Sequence, residues 1–393
     1  MSEATSLPLP EWYTAQRRAA MERRLEHLVE LLGQGRRYLI LTHNDPDPDA
    51  ISSALGVQAL IRHLAPQVRT TLAHGGMVGR SENRRMVELF APRIKHIPLA
   101  KARRVLAQYR GVALVDTQPS AGNHLLYALD YPLERVLLVI DHHPPRRSQF
   151  RAVIHDVRPE VGATATLVTE YLAAAEAPVD RRLATALFYG IKADTRGLSR
   201  HTSELDVWAY TTLRTRLDDE LLSQIEQVRL PRSYFRSLSQ ALANTKLYPC
   251  HQEPPQEDEP DEEKAVQPCQ GYVAVCMLPE MERPDMAAEI ADLLMRLEEV
   301  SWAICLGIYD ARLIVSVRTD LPGARAGRLL RTLMGRNGTA GGHDTMAGGR
   351  IALNDATPAE RIAAMHALVP RFLAELGAGN EAGIPLLERV DTG

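Results

Sequence analysis

LTHNDPDPDA, residues 41–50, decides the fold: an apolar run ends, four ionisable groups crowd together, and a helical pattern begins. The run before it, YLILT (38–42), is apolar and rich in strand-forming residues, as expected for a parallel strand covered by helices on both faces. From Ala50 to His63 the apolar residues recur at helical spacing. Similar apolar runs stand at VALVD (112–116) and VLLVI (136–140). Strand and helix alternate, which predicts an α/β fold with a doubly wound, mostly parallel sheet. In such sheets ligands gather in the crevice outside the carboxyl ends of the strands, and each run here turns ionisable at that end.

His43, Asp45, Asp47 and Asp49 fall within one short loop. Carboxylates so close repel and raise one another's pKa, whereas a divalent cation makes the crowding favourable. Pro46 and Pro48 stiffen the loop and fix where the acids point. Asp is also favoured in turns and at helix N-caps, the alternative role open to Asp45 or Asp49. Asp116 follows the second run, and Asp141, His142 and His143 follow the third. YGIKADTRGL (189–198) sets Asp194 beside Arg196 at the end of another apolar segment. Neighbours on an extended segment point to opposite faces, so His142 and His143 are expected to do different work. Carboxylates and imidazoles without thiolates suit a hard or borderline ion, Mn2+ first with Mg2+ or Co2+ as alternatives, over a structural zinc. The ligands exceed what one ion needs, so two divalent ions about 4 Å apart are expected, bridged by a carboxylate.

A chain of 393 residues exceeds the usual single domain. The expected division is a helical segment 1–35, an α/β catalytic domain 36–225, a helical linker 226–245 and a smaller mixed α/β domain 246–393. The last contains strands GYVAVCML, WAICLGIYD and RLIVSVRTD, a helix from Pro284 to Val300, and helices around Leu329 and Ile362. A cleft between the domains is expected to receive the substrate. Residues 251–268 hold seven acidic residues, one Lys and four Pro, so the segment 251–270 is expected to be a disordered loop. A net charge of −3 gives no basic field for long nucleic acid, and 5% aromatic residues offer few stacking platforms. Any nucleic-acid substrate is therefore expected to be short, and a long duplex is not. Cys250, Cys269, Cys276 and Cys305 show no CxxC spacing and are expected to be free thiols in a reducing compartment. The first residues lack a signal-peptide pattern and no run of apolar residues is long enough to span a bilayer, so no membrane partner and a cytoplasmic location are expected.

HNDPDPD, VDT, DHH and ADTRG, in this order, resemble the four motifs of the DHH phosphoesterase superfamily, and NGTAGGHDTMAGGR (337–350) is similar to the Gly-Gly-His motif of the DHHA1 domain. The resemblance implies His43, Asp47 and Asp116 around one ion, and Asp49, Asp116, His142 and Asp194 around the other. Asp116 would be the bridge. Asp141 would orient its neighbouring ligand imidazole, and His143 would face the scissile phosphate as a catalytic group. Gly341, Gly342 and His343 would contact the substrate from the DHHA1 lobe. GRSENRRM (79–86), with Arg80 and Asn83, and VSVRTD, with Arg318, resemble substrate-facing segments of oligonucleotide-cleaving members, and Arg196 adds charge near the phosphate. For Arg84 and Arg85 a solvated helix face is an equal expectation. The implied activity is that of the nano-RNase (oligoribonuclease) branch, a metal-dependent phosphodiesterase taking very short RNA to mononucleotides. Alternatives are a phosphatase for 3′-phosphoadenosine 5′-phosphate, a hydrolase of linear or cyclic dinucleotides and, more remotely, an inactive nucleotide sensor. Pyrophosphatase and exopolyphosphatase relatives are expected to differ in the second domain. A homodimer is left open.

Overall fold

The computed structural model describes residues 5–129, 131–144, 153–251, 266–335, 338–342, 344–379 and 382–387. The chain forms two units, Met1–Val228 and Arg229–Gly393.

The first unit opens with α1 (Ala15–Gly33), β1 (Arg37–Leu41), α2 (Pro48–Leu64), β2 (Arg69–His74), α3 (Ser81–Phe90), β3 (Lys95–His96) and α4 (Leu99–Leu106). It continues with β4 (Gly111–Val115), β5 (Val136–Asp141), β6 (Ile154–Val157), α5 (Thr164–Ala174), α6 (Arg181–Asp194), α7 (Glu204–Arg214) and α8 (Asp219–Glu226). Its six strands lie in the order β3-β2-β1-β4-β5-β6 and every pair is parallel. The order reverses between β1 and β4, which makes the crevice above that pair the binding position of a doubly wound sheet. Both sheet faces are covered. Ile40, Val115 and Ile140 pack with α1, α2, α5 and α6, while Leu39, Leu114 and Val139 pack with α4. Two-sided cover explains why these strands are continuously apolar.

Small residues then bring the helices close. A Cβ on Gly190 would lie 2.1 Å from the Ser52 hydroxyl, and one on Gly56 would lie 2.4 Å from a Val168 methyl. The close approach sets the start of α2, with Asp49, beside the end of α6, with Asp194.

The second unit contains α9 (Arg232–Ala243), β7 (Thr245–Pro249), β8 (Tyr272–Leu278), α10 (Met286–Leu294), β9 (Val300–Tyr309) and β10 (Arg312–Thr319). It ends with α11 (Ala326–Met334), β11 (Gly338–Gly342), β12 (Met346–Ala352), α12 (Pro358–Leu376) and β13 (Ile384–Pro385). The seven strands follow the order β11-β12-β10-β9-β8-β7-β13, with β8 and β9 parallel and the other pairs antiparallel. This is the expected smaller mixed sheet with helices.

Two expectations need correction. The helix predicted to reach Val300 stops at Leu294, and Val300 begins β9. Gly341 and Gly342 lie on β11, paired with Gly348 and Ala347 of β12, although glycine has low strand propensity. Cys250 and Cys269 are not free: they form a disulfide. Pairing of β7 with β8, extended by the Cys250 amide donating to the Gly271 carbonyl, brings the two Cα atoms within 5.7 Å. Cys276 and Cys305 remain buried thiols, register partners on β8 and β9. Most of the acidic loop expected at 251–270 falls outside the described residues. No helix among the described residues is long and apolar enough to cross a membrane.

Candidate metal centre

Four strand or helix ends of the first unit converge above β1 and β4. The loop after β1 carries His43, Asp45 and Asp47 and leads into Asp49 in the first turn of α2. Asp116 follows β4, His142 and His143 follow β5, and Asp194 ends α6. Besides the overlapping trio Asp116, His142 and His143, two sets of described side chains offer ligand atoms that lie within 4.8 Å of one another: His43, Asp47 and Asp116, and Asp49, His142 and Asp194. Asp116 faces both. Its Oδ2 is 3.4 Å from His43 Nε2, and its Oδ1 is 3.8 Å from His142 Nε2. Asp116 takes a φ of 58°, a costly conformation for a residue with a Cβ and one that recurs at functional sites.

The ring of His142 is set for an ion. Its Nδ1–H donates to the Val161 carbonyl at 3.2 Å, which leaves the lone pair on Nε2. That Nε2 is buried without a hydrogen-bond partner and lies 3.3 Å from Asp194, 3.8 Å from Asp116 and 3.9 Å from Asp49. A buried, unbonded imidazole nitrogen facing three carboxylates fits a divalent cation, and the all-oxygen-and-nitrogen donor set fits a hard or borderline one.

Electrostatics agree with the geometry. Burial, then the charges of Asp116 and Asp194, push the Asp49 carboxyl well above the usual range. Burial opposes ionisation of Asp116, but the His43 hydrogen bond and the charges of His143, His43 and His142 outweigh it and hold the carboxyl below that range. Against burial, Asp116 and Asp47 raise His43, and Asp194, Asp116 and Asp49 raise His142. Without an ion, protons hold this cluster together, and a cation takes their place.

The other acids do other work. Asp47 both faces His43 at 3.8 Å and caps α2 through the Ala50 amide, so the α2 cap is Asp47 and neither Asp45 nor Asp49. Asp45 accepts from the Met77 amide. Asp141 accepts from Nδ1 of His143 at 2.8 Å, not from the ligand His142. The two imidazoles do not point to opposite faces: β5 ends at Asp141, and the rings lie 4.5 Å apart. Asn83 is buried and its amide reaches the Pro46 carbonyl at 3.5 Å, tying α3 to the metal loop. Arg80 immediately precedes α3, and Arg196 is exposed just beyond Asp194. Arg84 and Arg85 bond within the unit, to Gly79 and Ser81 and to Glu88 and Gln224. In the second unit Arg318 is held by Asp292 at 2.6 Å, and Gly341 and Gly342 lie on β11; His343 is outside the described residues. Thr164 carries no sequence signal, yet its amide donates to Asp49 and its hydroxyl to Asp116.

Residues 37–191 match the DHH family, N-terminal domain, which contains five of the six ligands placed here. The family's match lies within the first unit. An uncharacterized protein of Methanocaldococcus jannaschii is 30% identical over 350 residues, 85% of this chain and 65% of its own length. The cyclic-di-AMP phosphodiesterase GdpP of Geobacillus thermodenitrificans is 29% identical over 209 residues, 50% of this chain and 30% of its own length. The chain thus spans less than two thirds of either curated relative. Among solved structures, an exopolyphosphatase-related protein from Bacteroides fragilis superposes with a TM-score of 0.60 at 14% identity, over 90% of this chain and 98% of its own. That likeness shows the fold alone.

Proposed function

We propose that this chain is a two-metal phosphodiesterase acting on dinucleotides, cyclic or linear. The carrying observation is the pair of ligand sets, His43/Asp47/Asp116 and Asp49/His142/Asp194, with one Asp116 oxygen facing each. A pair of divalent ions bound there would supply an activated water at neutral pH and neutralise charge on the phosphate. The residues supply the rest. Asp116, fixed by Thr164 and His43, keeps the two sets together. His143, bonded through Nδ1 to Asp141, is held in one orientation, and that bond and the Asp116 charge raise its pKa against the effect of burial. The imidazolium is suited to give a proton to the departing ester oxygen as water adds to phosphorus.

Dinucleotides are preferred over longer oligoribonucleotides because the relative whose name states an activity is a cyclic-di-AMP phosphodiesterase. The net charge of −3 and few aromatic residues also favour a small substrate. The test is a panel with Mn2+: a cyclic dinucleotide, its linear product, a longer RNA, 3′-phosphoadenosine 5′-phosphate and pyrophosphate. Faster release from the two dinucleotides is expected. Turnover of longer RNA or pyrophosphate with both dinucleotides intact would contradict the proposal.

A further inference from the structure

Asp206, in the first turn of α7, is wholly buried, and among the described residues it accepts from four neutral donors. Two belong to its own helix start: the Ser203 amide at 2.8 Å and the Ser203 hydroxyl at 2.6 Å, part of the α7 capping box. The other two reach a distant segment. Oδ2 accepts from the Gly162 amide at 2.8 Å and Oδ1 from the Thr166 hydroxyl at 2.6 Å. A helix cap needs only the first pair. The second pair grips the turn that enters α5.

That turn touches three of the metal-facing side chains. The Val161 carbonyl accepts from His142 Nδ1 at 3.2 Å. The Thr164 and Ala165 amides donate to the two oxygens of Asp49, each at 2.7 Å, and the Thr164 hydroxyl donates to Asp116 Oδ1 at 2.8 Å. Ala163, the N-cap residue of α5, has no side-chain oxygen, so Asp49 takes the capping role from another helix. The fork of two amides fixes the plane of the Asp49 carboxylate. The turn is also packed without slack: a Cβ on Gly162 would lie 2.3 Å from the His201 carbonyl oxygen.

We propose that Asp206 is a positioning residue for the Asp49/His142/Asp194 set, acting through residues 161–166, an inference that rests on assigning those side chains as metal ligands. Carboxylates and carbonyls behind metal ligands set their orientation, and their loss costs about 10- to 100-fold in metal affinity. His43 and Asp47 do not touch this turn through any of these bonds, and Asp116 meets it through Oδ1, the oxygen facing His142, so the effect should fall mainly on one ion of the two.

The experiment is calorimetric Mn2+ titration of the full chain without substrate, for wild type, Asp206→Ala, Thr166→Val and Thr166→Ser, with a circular-dichroism melt of each. Asp206→Ala should weaken one of the two binding steps about 100-fold and Thr166→Val about tenfold, with the other step weakened less. Thr166→Ser keeps the hydroxyl and should restore wild-type binding. If Asp206→Ala fails to fold, Thr166→Val decides. Wild-type affinity for both ions in the folded variants, or equal weakening of both steps, would overturn the proposal. A wild-type chain that binds no pair of ions would overturn it together with the metal assignment. Because the titration contains no substrate, failure of the dinucleotide proposal leaves its result intact.

Discussion

The two units bury different kinds of polar group. In the second, the buried polar side chains among the described residues are Thr245, Ser301, Ser316 and Thr319, all hydroxyls. Each has a partner: Ala241, Gln270 and Ser301 carbonyls for three of them and the Arg318 guanidinium for Ser316. The first unit instead buries Asp49, Asp116, Asp141, Asp156, Glu170 and Asp206. Three of these are settled by protein groups. Asp156 meets Arg24 and Arg158, Glu170 meets Arg17 and Arg158, and Asp206 has its four donors. Asp49 and Asp116 are different, since they share their space with other acids and with imidazoles. Burial alone therefore does not mark a site. A cluster of buried carboxylates that the protein's own cations do not balance does, because leaving the crowded charge uncompensated is costly.

If that contrast is right, the largest effect belongs to the residue common to both ligand sets. Asp116→Ala should abolish turnover of a dinucleotide while the second unit keeps its wild-type amide exchange; an active variant would break the contrast. His143→Gln should lower kcat by about 100- to 10,000-fold, the usual contribution of a positioned acid, yet retain two bound Mn2+ in calorimetry. A lost ion there would turn His143 into a ligand instead.

Smaller effects separate the units by stability. Cys250→Ser opens the disulfide that spans 19 positions, and the oxidised wild type should exceed it by about 2–4 kcal/mol in urea unfolding of the second unit. The first unit should not respond. Chelation should do the reverse, removing about 2.7 kcal/mol from the first unit if Mn2+ had stood at 100 times its dissociation constant. Hydrogen exchange would then quicken in α2 and α5 and stay unchanged in β8 and β9. Equal quickening in both units would erase the distinction.

How much of this was legible in the sequence follows the same division. The candidate cluster could be read because its acids and imidazoles gather just after apolar runs, so strand ends and chemistry coincide in the chain; its division into two sets came from the family resemblance. The parallel sheet was legible for the same reason. What escaped depended on partners far away in sequence. Thr164 bonds Asp49 across 115 positions and Asp116 across 48, and Asp206 grips Gly162 across 44. No local pattern announces such bonds. Which imidazole Asp141 would meet depended on where β5 ended, and the Cys250–Cys269 bond depended on how β7 and β8 paired. Arg318 pairs with Asp292 of a neighbouring helix, a partner that VSVRTD does not announce.

The central claim is that the first unit holds two metal ions through Asp116. Native mass spectrometry of the full chain in Mn2+ tests it most directly. The account predicts two ions on the wild type and a lost pair in Asp116→Ala. One ion on the wild type, or two on both proteins, would contradict it.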